Sequence, residues 1–159
     1  MSEAVSAPVH IFPVRVYYED TDAAGIVYYA NYLKFAERAR TELLRAHGIS
    51  NRALQESQGV AFAVRRLSAE YLAPARLDDR LEVRTRITGL RGAAIEAEQD
   101  VVRDGQDIAR LTLTLACIAR TGRATRLPAA VVDALQGGGA GLSKTHSDRS
   151  KRENHGKRS

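Results

Sequence analysis

Residues 17–47 read YYEDTDAAGIVYYANYLKFAERARTELLRAH. Acids, a glycine and several tyrosines come first, and a helical pattern follows. From about Tyr28 to His47, the residues Tyr32, Ala36, Ala39, Leu43 and Ala46 recur at the spacing of one helix face. Lys34, Glu37, Arg38, Arg40 and Glu42 fall largely elsewhere. The small Ala36 and Ala39 let such a helix lie close against a sheet, and Gly48 is a plausible stop. Upstream, Ile11 to Tyr18 reads as a strand, with Val14, Val16 and Tyr18 alternating against Pro13, Arg15 and Tyr17. Residues 19–27 are then a loop between a strand and a long helix.

Downstream, after a shorter helical piece over 50–57, the pattern turns to strands. Val60, Phe62 and Val64 alternate, then Leu67, Ala69 and Tyr71 alternate in the opposite phase. The phase change at Arg65-Arg66 predicts a bulge or bend in one long strand that Pro74 ends. Leu81, Val83, Thr85 and Ile87 form the next strand, closed by Gly89-Leu90-Arg91-Gly92. Ile95, Ala97, Gln99 and Val101 form another, with Glu96, Glu98 and Asp100 on its other face. Asp104-Gly105 is a hairpin signal, after which Ala109, Leu111, Leu113, Leu115 and Cys117 alternate with Arg110, Thr112 and Thr114. A short helix over 128–135, with Pro128 in its first turn, closes the domain.

One long helix against a curled antiparallel sheet of about five strands is an α+β layer arrangement. A single helix cannot cover both faces of that sheet, so a homo-oligomer, dimer or tetramer, is expected. The domain is expected over 11–136, after a flexible N-terminus at 1–10. From Gly137 the chain runs GGGAG into a polar, charged stretch without apolar periodicity, so 137–159 is expected to be a basic disordered tail.

Composition narrows the function classes. A chain of 159 residues, 44% apolar and 27% charged, suits one domain with a real core. The net charge of +5 sits mostly in the tail, where Lys144, Arg149, Lys151, Arg152, Lys157 and Arg158 face only Asp148 and Glu153. The domain itself is near neutral, which weighs against a nucleic-acid grip. The single cysteine, Cys117, forbids an internal disulfide and ends an apolar row, where a thiol is usually a small buried hydrophobe. No apolar run reaches the roughly 18 residues of a membrane span. The start, MSEAVSAPVH, lacks a secretory signal's basic and apolar regions, so the expected address is cytoplasmic.

Asp22 is the sharpest candidate for chemistry. A carboxylate just ahead of a helix start sits where backbone N–H groups point outward with partial positive charge. That arrangement can hold an oxyanion with an acid or base beside it. The bland alternative is a capping acid, and Glu19 and Asp20 share that ambiguity as solvated or orienting groups. Gly25 permits a tight turn or a close ligand approach. Tyr29 matters for its backbone N–H, expected in the first helical turn. Competing chemistries fare worse. His10 and His47 are isolated, and no His/Cys/Asp cluster has metal spacing. There is no phosphate loop and no nucleophile elbow around Ser50, Ser57 or Ser68.

The stretch Val16-Tyr17-Tyr18-Glu19-Asp20-Thr21-Asp22, through Gly25-Ile26-Val27-Tyr28-Tyr29 and into Phe35-Ala36-Glu37-Arg38-Ala39-Arg40-Thr41-Glu42, closely resembles the hot-dog-fold acyl-CoA thioesterases. It looks most like the Tol–Pal-associated (YbgC-type) branch of the 4-hydroxybenzoyl-CoA thioesterase-like family. A second matching block runs from Ala61-Phe62-Ala63-Val64-Arg65-Arg66 through Glu70-Tyr71-Leu72-Ala73-Pro74-Ala75-Arg76-Leu77-Asp78-Asp79. The likeness spans about 11 to 135. It implies a hot-dog fold with the active site at a subunit interface, and hydrolysis of acyl-CoA to free acid and CoA. Asp22 would be nucleophile or general base, and the Tyr29 N–H would polarise the thioester carbonyl. No metal or organic cofactor is implied. Acyl carrier protein is an alternative acyl donor. Tol–Pal-associated members often carry histidine where this chain has Tyr29, whereas the 4-hydroxybenzoyl-CoA branch can carry tyrosine. The choice between short aliphatic and aromatic acyl groups therefore stays open. Arg65, Arg66 and Arg91 are candidates for the CoA phosphates, weighed against a role as solvated surface arginines. A hot-dog hydratase or dehydratase is the rival chemistry, which usually wants a histidine near the carboxylate. A non-catalytic acyl-CoA or acyl-carrier-protein binding module is the rival class.

Overall fold

The computed structural model describes residues 3–4 and 9–137. The tail expected to be disordered lies outside the described residues except for Gly137, as do residues 1–2 and 5–8 of the N-terminus. The elements are β1 (Glu3–Ala4), β2 (His10–Arg15), a 3-10 turn (Tyr18–Asp20), α1 (Asn31–Ala46), α2 (Asn51–Gln58), β3 (Val60–Tyr71), β4 (Arg80–Arg91), β5 (Ala94–Arg103), β6 (Gln106–Ala119) and α3 (Ala129–Gln136).

The sheet is antiparallel throughout and five strands wide, in the order β2, β4, β5, β6, β3. β1 shares the outer edge of β4 with β2 and pairs at Gly89 and Leu90. β3 pairs only with β6, so its other edge is open among the described residues. The expected bulge is there, with the register shifting between Val64 and Arg66. Asp104 and Gly105 both take positive φ, 51° and 78°, as a tight hairpin turn after β5 requires.

α1 buries Tyr32, Phe35, Ala36, Ala39, Leu43 and Leu44, one stripe at helical spacing. The stripe packs on Thr85, Ile87, Ile95, Ala97 and Leu115 of β4, β5 and β6. Ala36 and Ala39 are fully buried, as small residues at a close helix–sheet contact must be. Phe35 is 1% exposed, and its burial contributes about 2–3 kcal/mol. Two buried polar side chains, Gln99 and Thr85, interrupt this interface. Gln99, fully buried, donates through Nε2 to the Ala36 carbonyl and to Thr85 Oγ1, both at 2.9 Å. Its Oε1 accepts from Arg40 Nη1 at 2.9 Å.

Four expectations shift. The first strand stops at Arg15, because Asp20 Oδ2 captures the Tyr17 N–H and folds the chain into the 3-10 turn. Tyr18, expected in one alternating row with Val14 and Val16, is 82% exposed while Val16 is fully buried. α1 begins at Asn31 rather than near Tyr28, because the Asp20 carbonyl holds the Tyr28 N–H at 3.1 Å outside the helix. β4 runs through Gly89 and Leu90 to Arg91, since a bulge between Ile87 and Gly89 restores its register and buries Leu90. No helix among the described residues is long and apolar enough to cross a membrane.

His10 at the start of β2 lies within electrostatic reach of His47 beyond the end of α1. His10 Nδ1 and His47 Nε2 are buried without a hydrogen-bond partner among the described residues. Burial, then the His47 charge, holds His10 below the ordinary histidine range against the opposing pull of Glu42. The folded pKa is thus depressed, and the fold accommodates the neutral ring. Its stability contribution is complete above the unfolded value of about 6.5 and is lost as the pH falls through the folded pKa. Thermal melts are expected to show Tm falling below about pH 6.5, with His10→Gln flattening that limb. An unchanged slope in the variant would assign the effect to other groups.

Candidate active site

The stretch between the 3-10 turn and α1 is tied down at several points. Thr21 and Val27 form an antiparallel bridge, and the Asp22 N–H donates to the Ile26 carbonyl at 2.9 Å. The Gly25 N–H donates to the Asp22 carbonyl at 3.0 Å. Gly25 carries the positive φ of 77° that closes the turn, and nothing lies within 4 Å of where a Cβ would stand. That positive φ is the turn role expected of it.

The Asp22 side chain is exposed at the head of this turn. Its Oδ1 accepts from the Ala24 N–H at 2.9 Å and from the Ile26 N–H at 3.4 Å. Its Oδ2 meets no donor among the described residues. The carboxylate is thus oriented through one oxygen and presents the other outward.

Tyr29 lies in a turn just before α1, not in its first turn as expected. Its N–H is left open all the same. Asn31 N–H donates to the Tyr28 carbonyl at 2.8 Å and Tyr32 N–H to the Tyr29 carbonyl at 3.3 Å, so the helical ladder is served from that point onward. The N–H groups of Tyr29 and Ala30 have no acceptor among the described residues. They are the orphan donors at the head of a 16-residue helix. The Asn31 Nδ2 group donates to the Asp20 carbonyl at 2.8 Å, the same oxygen that takes the Tyr28 N–H. Asp20 is therefore an orienting residue through both side chain and carbonyl, one of the two roles expected for it.

An aromatic wall adjoins this turn. The Tyr28 and Tyr29 rings lie 4.6 Å apart, Tyr29 meets Tyr71 edge-on at 6.0 Å, and Tyr71 meets Tyr32 at 5.6 Å. Tyr32 is core, and burial raises its phenol above the ordinary range, so it stays neutral. Tyr28, Tyr29 and Tyr71 are exposed and form an aromatic flank beside the turn.

Asp22, Gly25 and Tyr29 come together on one loop. The three arginines do not join them within one chain. Tyr71, which touches Tyr29, pairs with Ala109, while Arg66 pairs with Thr114, five residues or roughly 16 Å along the edge strand. Arg65 is the unpaired residue of the bulge beside it. Arg91 lies at the far end of β4 from Arg80, a span of roughly 36 Å, where it lines a cavity of about 470 Å³ with Arg126 and α3. The histidines are remote as well, since His47 follows the far end of α1, roughly 24 Å from its start. Among the described residues no group of three His, Cys, Asp or Glu side chains is arranged to hold a metal. Cys117 is buried, which raises its thiol pKa and leaves it without nucleophilic use here.

Sequence reasoning missed Asn31, and it missed the segment after β3. Ala75, fully buried, accepts from the Val27 N–H at 2.8 Å and donates to the Tyr32 hydroxyl at 3.1 Å. Ile26 bridges Arg76. The only signal was that Pro74–Asp79 belongs to the second block of resemblance.

Known proteins resemble this chain in sequence and in architecture. The profile of the thioesterase-like superfamily matches residues 16–135. The acyl-CoA thioester hydrolase YbgC of Escherichia coli is 57% identical over 91 residues, which cover 57% of this chain and 67% of that protein. The acyl-CoA thioesterase YbgC of Haemophilus influenzae is 48% identical over 107 residues, 67% of this chain and 79% of that one. A crystal structure described as a "probable thioesterase", from Bartonella henselae, superposes with a TM-score of 0.74 at 37% identity, covering 76% of this chain and all of that one.

Proposed function

The chain belongs to the thioesterase-like superfamily and is an acyl-CoA thioesterase, and from that premise we propose how its own residues carry the reaction. The thioester carbonyl docks on the Tyr29 N–H, with the Ala30 N–H beside it. The outward Oδ2 of Asp22 then either attacks the carbonyl carbon or draws a proton from the water that does. As the tetrahedral centre forms, negative charge builds on the former carbonyl oxygen. Fixed N–H donors at a helix head stabilise that charge more than they stabilise the ground-state carbonyl. The C–S bond breaks, and CoA leaves as the thiolate and is protonated. In the nucleophilic variant a mixed anhydride is left on Asp22, and water hydrolyses it. The observation that carries this reading is one loop presenting a free carboxylate oxygen and two unpaired N–H groups.

The oligomer belongs to the same proposal. β3 has an open edge, with Val64 exposed on it. A dimer formed there would bring Arg65 and Arg66 to a ligand held between two copies. Light scattering should then report a dimer or tetramer, and a monomer would remove any phosphate role across the interface.

Thiol release from a panel of acyl-CoAs, short aliphatic to long-chain and including 4-hydroxybenzoyl-CoA, tests the reading. Turnover of at least one member is expected. The exposed tyrosine flank favours aromatic or apolar acyl groups over small polar ones. If no acyl-CoA turns over, the panel is repeated with acyl carrier protein as donor, and failure of both would leave an acyl-binding module.

A further inference from the structure

Pro74–Asp79 carries much of the second block of resemblance but none of the proposed chemistry. Its polar groups bond in an order that runs toward Asp22. Asp79 Oδ2 accepts from the Arg76 N–H at 2.8 Å and from Arg103 Nη1 at 2.8 Å. Arg103 Nη1 also donates to the Pro74 carbonyl at 2.9 Å. One guanidinium and one carboxylate thus pin the segment at both ends. Their side chains are only 24% and 25% exposed, so the pair is better shielded than the other ion pairs among the described residues.

Between the pins lies Ala75. Its carbonyl holds Val27, the return arm of the Asp22 turn, and its N–H holds the hydroxyl of Tyr32. Tyr32 is three residues after Tyr29 and donates its own N–H to the Tyr29 carbonyl. Buried Ala75 therefore touches both the arm that orients Asp22 and the helix turn that presents the Tyr29 N–H. The next residue, Arg76, bridges Ile26, whose N–H is bonded to Asp22 Oδ1.

We propose that Asp79 and Arg103 are positioning residues for the hydrolysis. Acting through Ala75, they fix the separation between the Asp22 carboxylate and the Tyr29 N–H. Neither touches the reacting atoms. The proposal rests on the assignment of Asp22 and Tyr29 above. It goes further by giving the 74–79 segment a kinetic role. Misplacement of about 1 Å in such an arrangement costs up to about a hundredfold in rate.

The test compares Asp79→Asn, Arg103→Lys, Tyr32→Phe and the double variant Asp79→Asn/Arg103→Lys with the unaltered protein, on whichever acyl-CoA turns over best. All are assayed well below their melting temperatures. Asp79→Asn is expected to lower kcat by about tenfold to a hundredfold with KM changed less than about twofold. The double variant should be no slower than the worse single one, since both remove the same pin. Tyr32→Phe, which keeps the ring and loses the acceptor for Ala75, should lower kcat in the same way. A merely structural role would lower Tm and leave kcat of the folded protein within about twofold, and that result would overturn the proposal. If Asp79→Asn does not fold, Arg103→Lys and Tyr32→Phe decide it by the same criterion. Asp22→Asn, run alongside, separates the two levels. Full activity in that variant would remove the mechanism, whereas its inactivity with unaffected Asp79, Arg103 and Tyr32 variants would remove only the positioning role.

Discussion

Asp22→Asn is expected to lower kcat for acyl-CoA hydrolysis by about a thousandfold or more, with binding of the uncleaved thioester retained. The substitution suits this loop. The amide of the variant keeps an oxygen that can accept from the Ala24 and Ile26 N–H groups, so the turn should hold its shape. What disappears is the charge and the free lone pairs at the Oδ2 position, where an NH2 group takes the place of the oxygen. A thousandfold loss corresponds to about 4 kcal/mol of barrier, within reach of one nucleophile or general base. The hydrogen bond of the substrate carbonyl to the Tyr29 N–H is untouched, so affinity should change little. Thiol release under saturating substrate, calorimetric titration with the substrate the variant no longer cleaves, and a thermal melt are the three measurements. A kcat within tenfold of the unaltered protein would exclude Asp22 from the chemistry. An equal loss of kcat and binding would mean that the loop had collapsed.

What can be read from the sequence depends on how far each contact reaches. α1 was legible over most of its length because its buried stripe is a local repeat, from Tyr32 to Leu44. Its start was not. Residues 28–30 have nothing in their side chains that forbids a helix, and only the Asp20 carbonyl, reached by folding back through the 3-10 turn, holds Tyr28 outside. The bulge at Arg65 showed in the phase of the apolar residues, whereas the one before Gly89 sat beside glycine and looked like a strand end. The loop with Asp22, Gly25 and Tyr29 could be read because all three are neighbours in sequence. The support from Ala75 could not, since its bonds to Val27 and Tyr32 span more than forty residues. The arginines illustrate the same limit. Arg65, Arg66 and Arg91 look alike as cations on strand or turn positions, and only the strand register shows how far Arg91 lies from the other two.

Gln99→Leu is the stability experiment with the largest expected effect, a loss of about 3 kcal/mol. In the sequence Gln99 stands in an apolar row with Ile95, Ala97 and Val101, where leucine would look harmless and of similar size. The hydrogen bonds argue otherwise. Leucine would leave the Thr85 hydroxyl without its donor, at about 1–3 kcal/mol for a buried group left unpaired, and would take from the Ala36 carbonyl the second donor it has beside the helical N–H of Arg40. It would also strip the acceptor from Arg40, a half-buried cation with no carboxylate within salt-bridge distance among the described residues. Burial already depresses the Arg40 guanidinium below its ordinary range, against the weaker pull of Glu37. Water can reach Arg40 from the cavity it lines with Glu37, Thr41, Asn51 and Phe62, which discounts its share of the loss. The gain from a more apolar side chain offsets another part, about 1–2 kcal/mol. Tm should fall by roughly 10 °C, with a matching shift in the denaturant midpoint. Arg40→Met placed on top of Gln99→Leu should recover part of the loss, because removing both partners of a buried polar pair is far less costly than removing one. A single variant within about 1 kcal/mol of the unaltered protein would show that water replaces the amide. A double variant less stable by the sum of its parts would show that Arg40 contributes through packing along its aliphatic stem rather than through Gln99.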